Sequence, residues 1–260
     1  MQLNKIKVLI VDDSIVFREY VSLAISSDPG FEVVGTAADT MEAMEKIKEL
    51  KPDVLTLDVE MPKVNGIDFL KVLMVTHPVP TVVVSSVSSN VFDALDAGAV
   101  DFVTKPSEGR KKELFIIELL VKIRIASCAN IGRGYVKEKK QLDSPQHHRK
   151  DRKDVIVAIG ASTGGTEAIL SVLRSFPEDM PGIVVVQHMP AKFTKMYADR
   201  INKVCSMEVK EAKNGDYVTS GTVLIAPGEL QMRVKKDAKG YFVQCVQGEK
   251  VSGHDDRNYS

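Results

Sequence analysis

Neither sign of charge predominates in this sequence: lysine plus arginine number 35, and aspartate plus glutamate number 35. With no global field to draw polyanions, a nucleic-acid-binding output and a charge-driven hold on an anionic membrane are both disfavoured. Cysteine is scarce as well. Cys128, Cys205 and Cys245 are an odd number without metal-ligand or redox spacing, which argues against a disulfide framework and fits a reducing compartment, the cytoplasm. No stretch of roughly 18 apolar residues occurs, and the N-terminus has no apolar targeting segment, so a soluble protein without membrane insertion is expected. Nor is there an internal repeat.

What is present is an alternation of short β-branched runs with segments of helical period, the pattern of an α/β sheet. Val8–Val11, Phe31–Val34, Val54–Leu57, Thr81–Val84 and Ala99–Val103 read as five strands, mostly continuous apolar runs as expected of a doubly wound parallel sheet buried on both faces. Between them, Val16, Tyr20, Leu23 and Ala24 form one helical stripe and Met41, Met44 and Ile47 the next, with Asp28-Pro29-Gly30 stopping the first. This first domain is expected to span 1–125. From 126 to 153 the pattern fails, and glycine, Pro145 and the run His147-His148-Arg149-Lys150-Asp151-Arg152-Lys153 leave almost nothing apolar to bury. That segment reads as a polar linker, and its paired histidines as part of a solvated hinge rather than a metal site. A second α/β pattern, over 154–260, begins with Val155–Ile159.

In a parallel sheet, Asp12 and Asp13 after the first strand and Asp58 after the third meet at the carboxyl edge, where such folds bind ligands. Three like charges there call for a cation, and oxygen-only donors suit Mg²⁺ completed by phosphate oxygens. Asp58 could then accept a phosphoryl group if a cation and hydrogen-bond donors neutralise the developing charge. Ser85 and Lys105, at the ends of strands four and five, reach the same edge. Taken singly, Asp13 or Ser14 is as readily an N-cap of the first helix. Five polar residues at successive strand ends are harder to read that way. The motifs Val11-Asp12-Asp13-Ser14, Leu57-Asp58-Val59-Glu60-Met61-Pro62 with Asn65-Gly66, Val84-Ser85-Ser86 and Phe102-Val103-Thr104-Lys105-Pro106 resemble the receiver family of two-component response regulators. The resemblance implies a flavodoxin-like fold and phosphotransfer from a histidine kinase to Asp58. It implies Mg²⁺ on Asp13, Asp58 and the Glu60 carbonyl, with Asp12 assisting through water, and Ser85 and Lys105 on the phosphoryl oxygens. Phe102 would change rotamer as Ser85 moves toward the phosphate.

In the second domain a strand runs into Gly160-Ala161-Ser162-Thr163-Gly164-Gly165 and then a helix from Thr166 to Ser175. This strand–turn–helix matches the G-x-S-x-G elbow, in which a serine sits exposed on a tight turn. A phosphate-binding glycine loop remains open from the local pattern, although no lysine completes a Walker-type loop. The next strand, Gly182–Val186, ends in Gln187-His188-Met189-Pro190 and brings an imidazole to the same edge. Ser162 needs such a base, and amides of the turn at Thr163, Gly164 and Gly165 could stabilise an oxyanion. Together with Leu224-Ile225-Ala226-Pro227-Gly228, these motifs resemble the chemotaxis protein-glutamate methylesterase family. The resemblance implies Ser162 as nucleophile and His188 as base, acting on glutamate methyl esters and certain glutamines of chemoreceptors with no cofactor for that reaction. It further implies that the unphosphorylated receiver covers the esterase cleft.

The family's catalytic aspartate lies downstream of anything present, so the second domain is expected to be incomplete. Gln231 stands where members commonly carry a histidine, and the match fades after Val251-Ser252-Gly253-His254. Asp216, Asp255 and Asp256 are available carboxylates that read as loop residues. Two classes therefore stay open: a phosphorylation-gated methylesterase, or a module that accepts phosphate and docks receptors without catalysis.

Overall fold

In the computed structural model the described residues are 4–61, 65–86, 91–106, 112–129 and 155–248. The chain divides into two compact units, Met1–Gly134 and Tyr135–Ser260. Most of the segment expected as a linker, with His147 and His148, lies outside the described residues, as do Asp255 and Asp256.

Unit 1 alternates strictly: β1 (Ile6–Val11), α1 (Ile15–Ser26), β2 (Phe31–Ala37), α2 (Thr40–Leu50), β3 (Val54–Leu57), α3 (Gly66–Thr76), β4 (Thr81–Ser85), α4 (Val91–Asp96), β5 (Asp101–Thr104) and α5 (Lys112–Ala126). The sheet is parallel in the order β2-β1-β3-β4-β5. The apolar runs form its centre, and β3, β4 and β5 are buried at every residue. One core cluster joins Val8, Ile10, Val54, Val82, Val84 and Val103 of the strands to Val21 and Ile25 of α1 and Phe115, Leu119 and Ile123 of α5.

The buried faces of the first two helices differ from the expected stripes. Val16 and Leu23 are 76% and 71% exposed, while Val21 and Ile25 are buried, with Phe17 and Tyr20 packed beside them. Helix α1 is apolar around most of its circumference, so several stripes satisfy the period. The three-residue connection Asp12–Ser14, with Ser14 Oγ accepting from Phe17 N–H at 3.3 Å, fixes which one meets the sheet. In α2, Asp39 caps the first turn, accepting from Met41 and Glu42 N–H. Thr40, Ala43 and Ile47 are buried there, and Met41 is 76% exposed.

Unit 2 contains β6 (Val157–Ala161), α6 (Gly165–Arg174), β7 (Ile183–Gln187), α7 (Ala191–Asn202), β8 (Glu208–Glu211), β9 (Thr222–Ile225), β10 (Gln231–Asp237) and β11 (Gly240–Val246). The first four of these strands form a parallel sheet in the order β6-β7-β9-β8, and β10 and β11 form a separate antiparallel hairpin. Val243 of the hairpin packs with Val184, Ala212, Val218 and Leu224, so the hairpin covers part of one sheet face. The hairpin was not anticipated. Its turn is marked by Asp237, whose Oδ1 accepts from Lys239 and Gly240 N–H, and by Gly240 at φ +136°. Strand β6 is at best half-buried along its length.

Candidate functional site

At the carboxyl edge of the first sheet, Asp12 and Asp58 are each 2% exposed and Asp13 is exposed. Carboxylate oxygens of the three lie within 4.8 Å of one another. Local backbone holds them: Asp12 Oδ1 accepts from Ser14 N–H at 2.9 Å, and Asp58 Oδ1 accepts from Glu60 N–H at 2.8 Å. Because Ser14, not Asp13, caps α1, the Asp13 carboxylate is left to the cluster. Gly66 opens α3 against the backbone of the Asp58 turn, where an added Cβ would lie 2.6 Å from the Asp58 carbonyl oxygen. Strand β5 delivers Lys105. Its Nζ lies 2.6 Å from both Asp12 Oδ2 and Asp58 Oδ2, 4.6 Å from the centre of the Phe17 ring, and its N–H donates to the Ser85 carbonyl at 2.9 Å. Ser85 is fully buried at the end of β4, and the Glu60 carboxylate accepts from Ser86 N–H.

The charge balance here is uneven. Burial is the largest influence on Asp12 and raises its carboxyl above the ordinary value, with Asp58 adding to the effect and Lys105 and the Ser14 amide opposing it. Burial also works against the Lys105 ammonium, but hydrogen bonds and attraction from Asp12 and Asp58 outweigh it and leave Lys105 raised. One cation is thus shared between two buried carboxylates, and it is the carboxylate side that is under-compensated. Asp12 Oδ2 has no well-aligned hydrogen bond despite its ion pair. Oxygen donors at this spacing fit a hard divalent cation, which would make good the missing positive charge.

Phe102 is buried in β5, tilted edge-on to Phe92 at 6.2 Å. Lys122 of α5 reaches the same residue, its Nζ 5.0 Å from the ring centre and donating to the Phe102 carbonyl and to Asp101 Oδ1. Sequence patterning does not single out Lys122. Its signal is structural, a lysine only 12% exposed and paired with both Asp101 and Glu118.

In unit 2, β6 and β7 pair in register from Val157↔Ile183 to Ala161↔Gln187, and His188 N–H continues the ladder to the Ala161 carbonyl at 3.1 Å. Ser162 and His188 are therefore the next positions along two adjacent strands, whose spacing is about 4.8 Å. Both are exposed. The turn closes through Gly165 N–H to the Ser162 carbonyl at 2.8 Å, and Gly164 takes φ +74°. Gly165 thus gives its amide to the turn itself, so of the three amides expected to serve an oxyanion this one is committed to holding the turn. Gln187, 6% exposed, donates from Nε2 to the Ser162 carbonyl at 2.8 Å and to the His188 carbonyl at 3.3 Å. Beyond β9, Gly228 runs against the start of α7, where a Cβ would lie 2.5 Å from Ala191 Cα, and donates to Thr194 Oγ1. Asp216 is engaged elsewhere, by Lys210 Nζ at 3.0 Å and Lys213 N–H at 2.8 Å. Gln231 opens the hairpin and accepts from Arg233.

Comparison with known proteins bears on both units. The family described as response regulator receiver domain matches residues 8–115, and that described as CheB methylesterase matches residues 157–257. A protein-glutamate methylesterase/protein-glutamine glutaminase of Syntrophomonas wolfei is 53% identical over 98% of this chain and 74% of its own length. The chain belongs to the CheB-type protein-glutamate methylesterase/protein-glutamine glutaminase family. A relative from Syntrophotalea carbinolica is 46% identical over 96% of this chain and, again, 74% of its own length. Among solved structures, the Thermotoga maritima CheB response regulator domain is 44% identical, covering 49% of this chain and 99% of that one at a TM-score of 0.46. The T. maritima CheB methylesterase catalytic domain is 39% identical, covering 37% and 52% respectively at a TM-score of 0.36. The two family matches, residues 8–115 and 157–257, fall one in each α/β unit, and no helix among the described residues is long and apolar enough to cross a membrane.

Proposed function

We propose that this protein is a phosphorylation-controlled hydrolase of the cytoplasm that removes methyl groups from glutamate esters, and amide groups from glutamines, on chemoreceptors. A histidine kinase supplies the phosphoryl group. The phosphohistidine N–P bond breaks as an Asp58 carboxylate oxygen bonds to phosphorus, while Lys105 and Ser85 hold the transferred oxygens. Asp13, Asp58 and the Glu60 carbonyl, with Asp12 through water, would hold Mg²⁺, which would supply charge neutralisation for the transfer. In unit 2, His188 takes the Ser162 proton as Oγ attacks the ester carbonyl, and amides of the Ser162 turn stabilise the oxyanion. Methanol leaves with the proton from His188, or ammonia when the substrate is an amide, and water then releases the acid from the acyl-serine.

The observation that carries this reading is the β6/β7 register, which sets Ser162 beside His188 at the edge of a sheet in a chain whose other half holds a charge-deficient carboxylate cluster. Phe102 is the element through which phosphate at Asp58 alters the surface of unit 1. Units 1–125 and 154–260, joined by a polar linker, are the working domains.

The experiment is methanol release from a methylated receptor fragment by the 260-residue chain, with and without Mg²⁺ and a small-molecule phosphodonor. Release is expected to rise with phosphodonor, to lose that rise in Asp58→Asn, and to vanish in Ser162→Ala. Release from wild type that ignores the phosphodonor would refute the control. No release from wild type, alongside normal labelling of Asp58, would favour a phosphate-accepting module that docks receptors without catalysis.

A further inference from the structure

A glutamine at the end of an apolar strand needs explaining. Strand β7 reads Ile183-Val184-Val185-Val186-Gln187, and its last side chain is 6% exposed. Burying a carboxamide without partners costs roughly 1–3 kcal/mol on protein scales, so such a group is ordinarily hydrogen-bonded. This one is, and both acceptors matter: its Nε2 donates to the carbonyl of Ser162 at 2.8 Å and to that of His188 at 3.3 Å. Because both partners are carbonyl oxygens, only the NH₂ end can face them, and the orientation of the amide is set by chemistry. The other end, Oε1, is buried and has no hydrogen-bond partner among the described residues. The amide is therefore held by what its NH₂ end does.

Two further features converge on it. The Ser162 carbonyl receives a second donor, Gly165 N–H at 2.8 Å, so both of its lone pairs are engaged and the turn has no freedom to rotate that peptide. Gly165 also makes room for the amide: a Cβ there would lie 2.3 Å from Gln187 Oε1 and 2.5 Å from Ala161 Cβ. Its φ is outside the left-handed range in which only glycine is at ease, so space is the reason for glycine at this position.

We propose that Gln187 is a positioning residue of the Ser162/His188 pair, acting by clamping the main chain of both residues to one rigid amide. Resting on the assignment of Ser162 as nucleophile, this role goes beyond it. The two residues follow the last paired residues of β6 and β7 on separate segments, so their reacting atoms depend on a fixed separation between those segments, and misplacement by about 1 Å can cost on the order of 10²-fold in rate. The clamp ties one to the other. Gly165 completes it by leaving the cavity that the amide fills.

The test uses the full chain and a fluorophosphonate, which phosphonylates an activated serine: the Oγ–P bond forms, fluoride leaves, and the base takes the hydroxyl proton. Second-order labelling rates at Ser162 would be measured as a function of pH for wild type, Gln187→Met, Gly165→Ala and the double variant, with Ser162→Ala as the blank. Circular dichroism would report whether each folds. Gln187→Met, which keeps length and volume but removes the donor, is expected to lower the plateau rate at least tenfold. Gly165→Ala should do the same by displacing the amide, and the double variant should be little worse than either single one, because the two act on one element. A Gln187→Glu variant is expected to label slowly where its carboxyl is ionised, and to recover part of the rate toward acid pH, where a protonated carboxyl can again donate. A purely structural role would move the folded fraction and leave that pH dependence unaltered. Labelling of folded Gln187→Met within twofold of wild type would overturn the clamp. A wild type that labels no faster than Ser162→Ala would instead overturn the nucleophile assignment, and the positioning role with it.

Discussion

At the carboxyl edge of the first sheet, Asp12 and Asp58 are each 2% exposed and share a single ammonium, whereas at the edge of the second, Ser162 and His188 are open to solvent and one neutral amide grips the main-chain carbonyls of both. The two sites occupy equivalent places on parallel sheets, so the fold does not account for the contrast. Chemistry does. Accepting a phosphoryl group on a carboxylate demands that charge be concentrated and partly desolvated in advance, because its management is most of the catalysis. An ester on a large protein partner must be approached from outside, so nucleophile and base have to stay accessible while something behind them keeps them aligned.

That contrast can be broken most decisively at the second site. Ser162→Ala and His188→Ala should each remove nearly all of the pair's contribution to ester hydrolysis, with the double variant scarcely worse, since nucleophile and base act as a unit. Initial rates of methanol release would measure this, and losses that multiply would mean that the two residues do not cooperate. A smaller effect is expected in the scaffold of the first site. Ile25→Ala should cost about 2–5 kcal/mol of stability, while Leu23→Ala, two residues away on the exposed face, should fall within about 0.5 kcal/mol of wild type. Urea denaturation followed by circular dichroism would compare them, and equal losses would return the buried face of α1 to the Leu23 stripe.

The smallest effect sharpens the electrostatic half of the comparison. Asp12 has its carboxyl raised, chiefly by burial. An acid raised on folding binds more protons in the native than in the unfolded state between the two values, so stability falls as pH rises through that window and the full deficit is present above it. Removing the charge with Asp12→Asn should therefore raise the unfolding midpoint of unit 1 at neutral pH by a few degrees, roughly what 1 kcal/mol gives in a domain of this size. The gain should shrink as pH falls through the raised value of the Asp12 carboxyl, where wild type takes up its proton, and also on adding Mg²⁺. Differential scanning calorimetry would detect it, and a midpoint lowered at neutral pH would show that Asp12 is fully compensated by Lys105.

Strands buried on both faces were the most legible feature of the sequence: Val54–Leu57 is bounded in the fold as its run suggests, because three apolar residues and a β-branched threonine between turns are too short for a helix and suit a strand. Strand ends then placed Asp12, Asp58 and Lys105 without further information, since parallel topology sends all carboxyl ends to one edge. Helix rotation was less legible. In α1 the apolar residues nearly encircle the helix, and periodicity cannot choose between Val16 with Leu23 and Val21 with Ile25 when both sets have the right spacing. Gln187 escaped notice because a polar residue after valines looks like the end of a strand, and only its burial reveals it as an interior group. The β10–β11 hairpin did carry a readable sign, Asp237 and Gly240 flanking a short turn between Val234 and Phe242.

The pairing of β6 with β7 has a consequence for misfolding. Ile183, Val184 and Val185 are all buried, so their apolar side chains hardly distinguish the two faces of β7, and the in/out alternation that ordinarily fixes register contributes little there. A slip of one residue would advance β7 by about 3.3 Å, turn every side chain over, and set the carboxamide rather than the imidazole beside the serine. Such a molecule would retain its greasy interior and be chemically mute. The polar pair at the strand's exit, one member requiring the interior and the other the solvent, penalises that alternative, so the two residues proposed to serve the reaction would also proofread the assembly of the sheet that carries them.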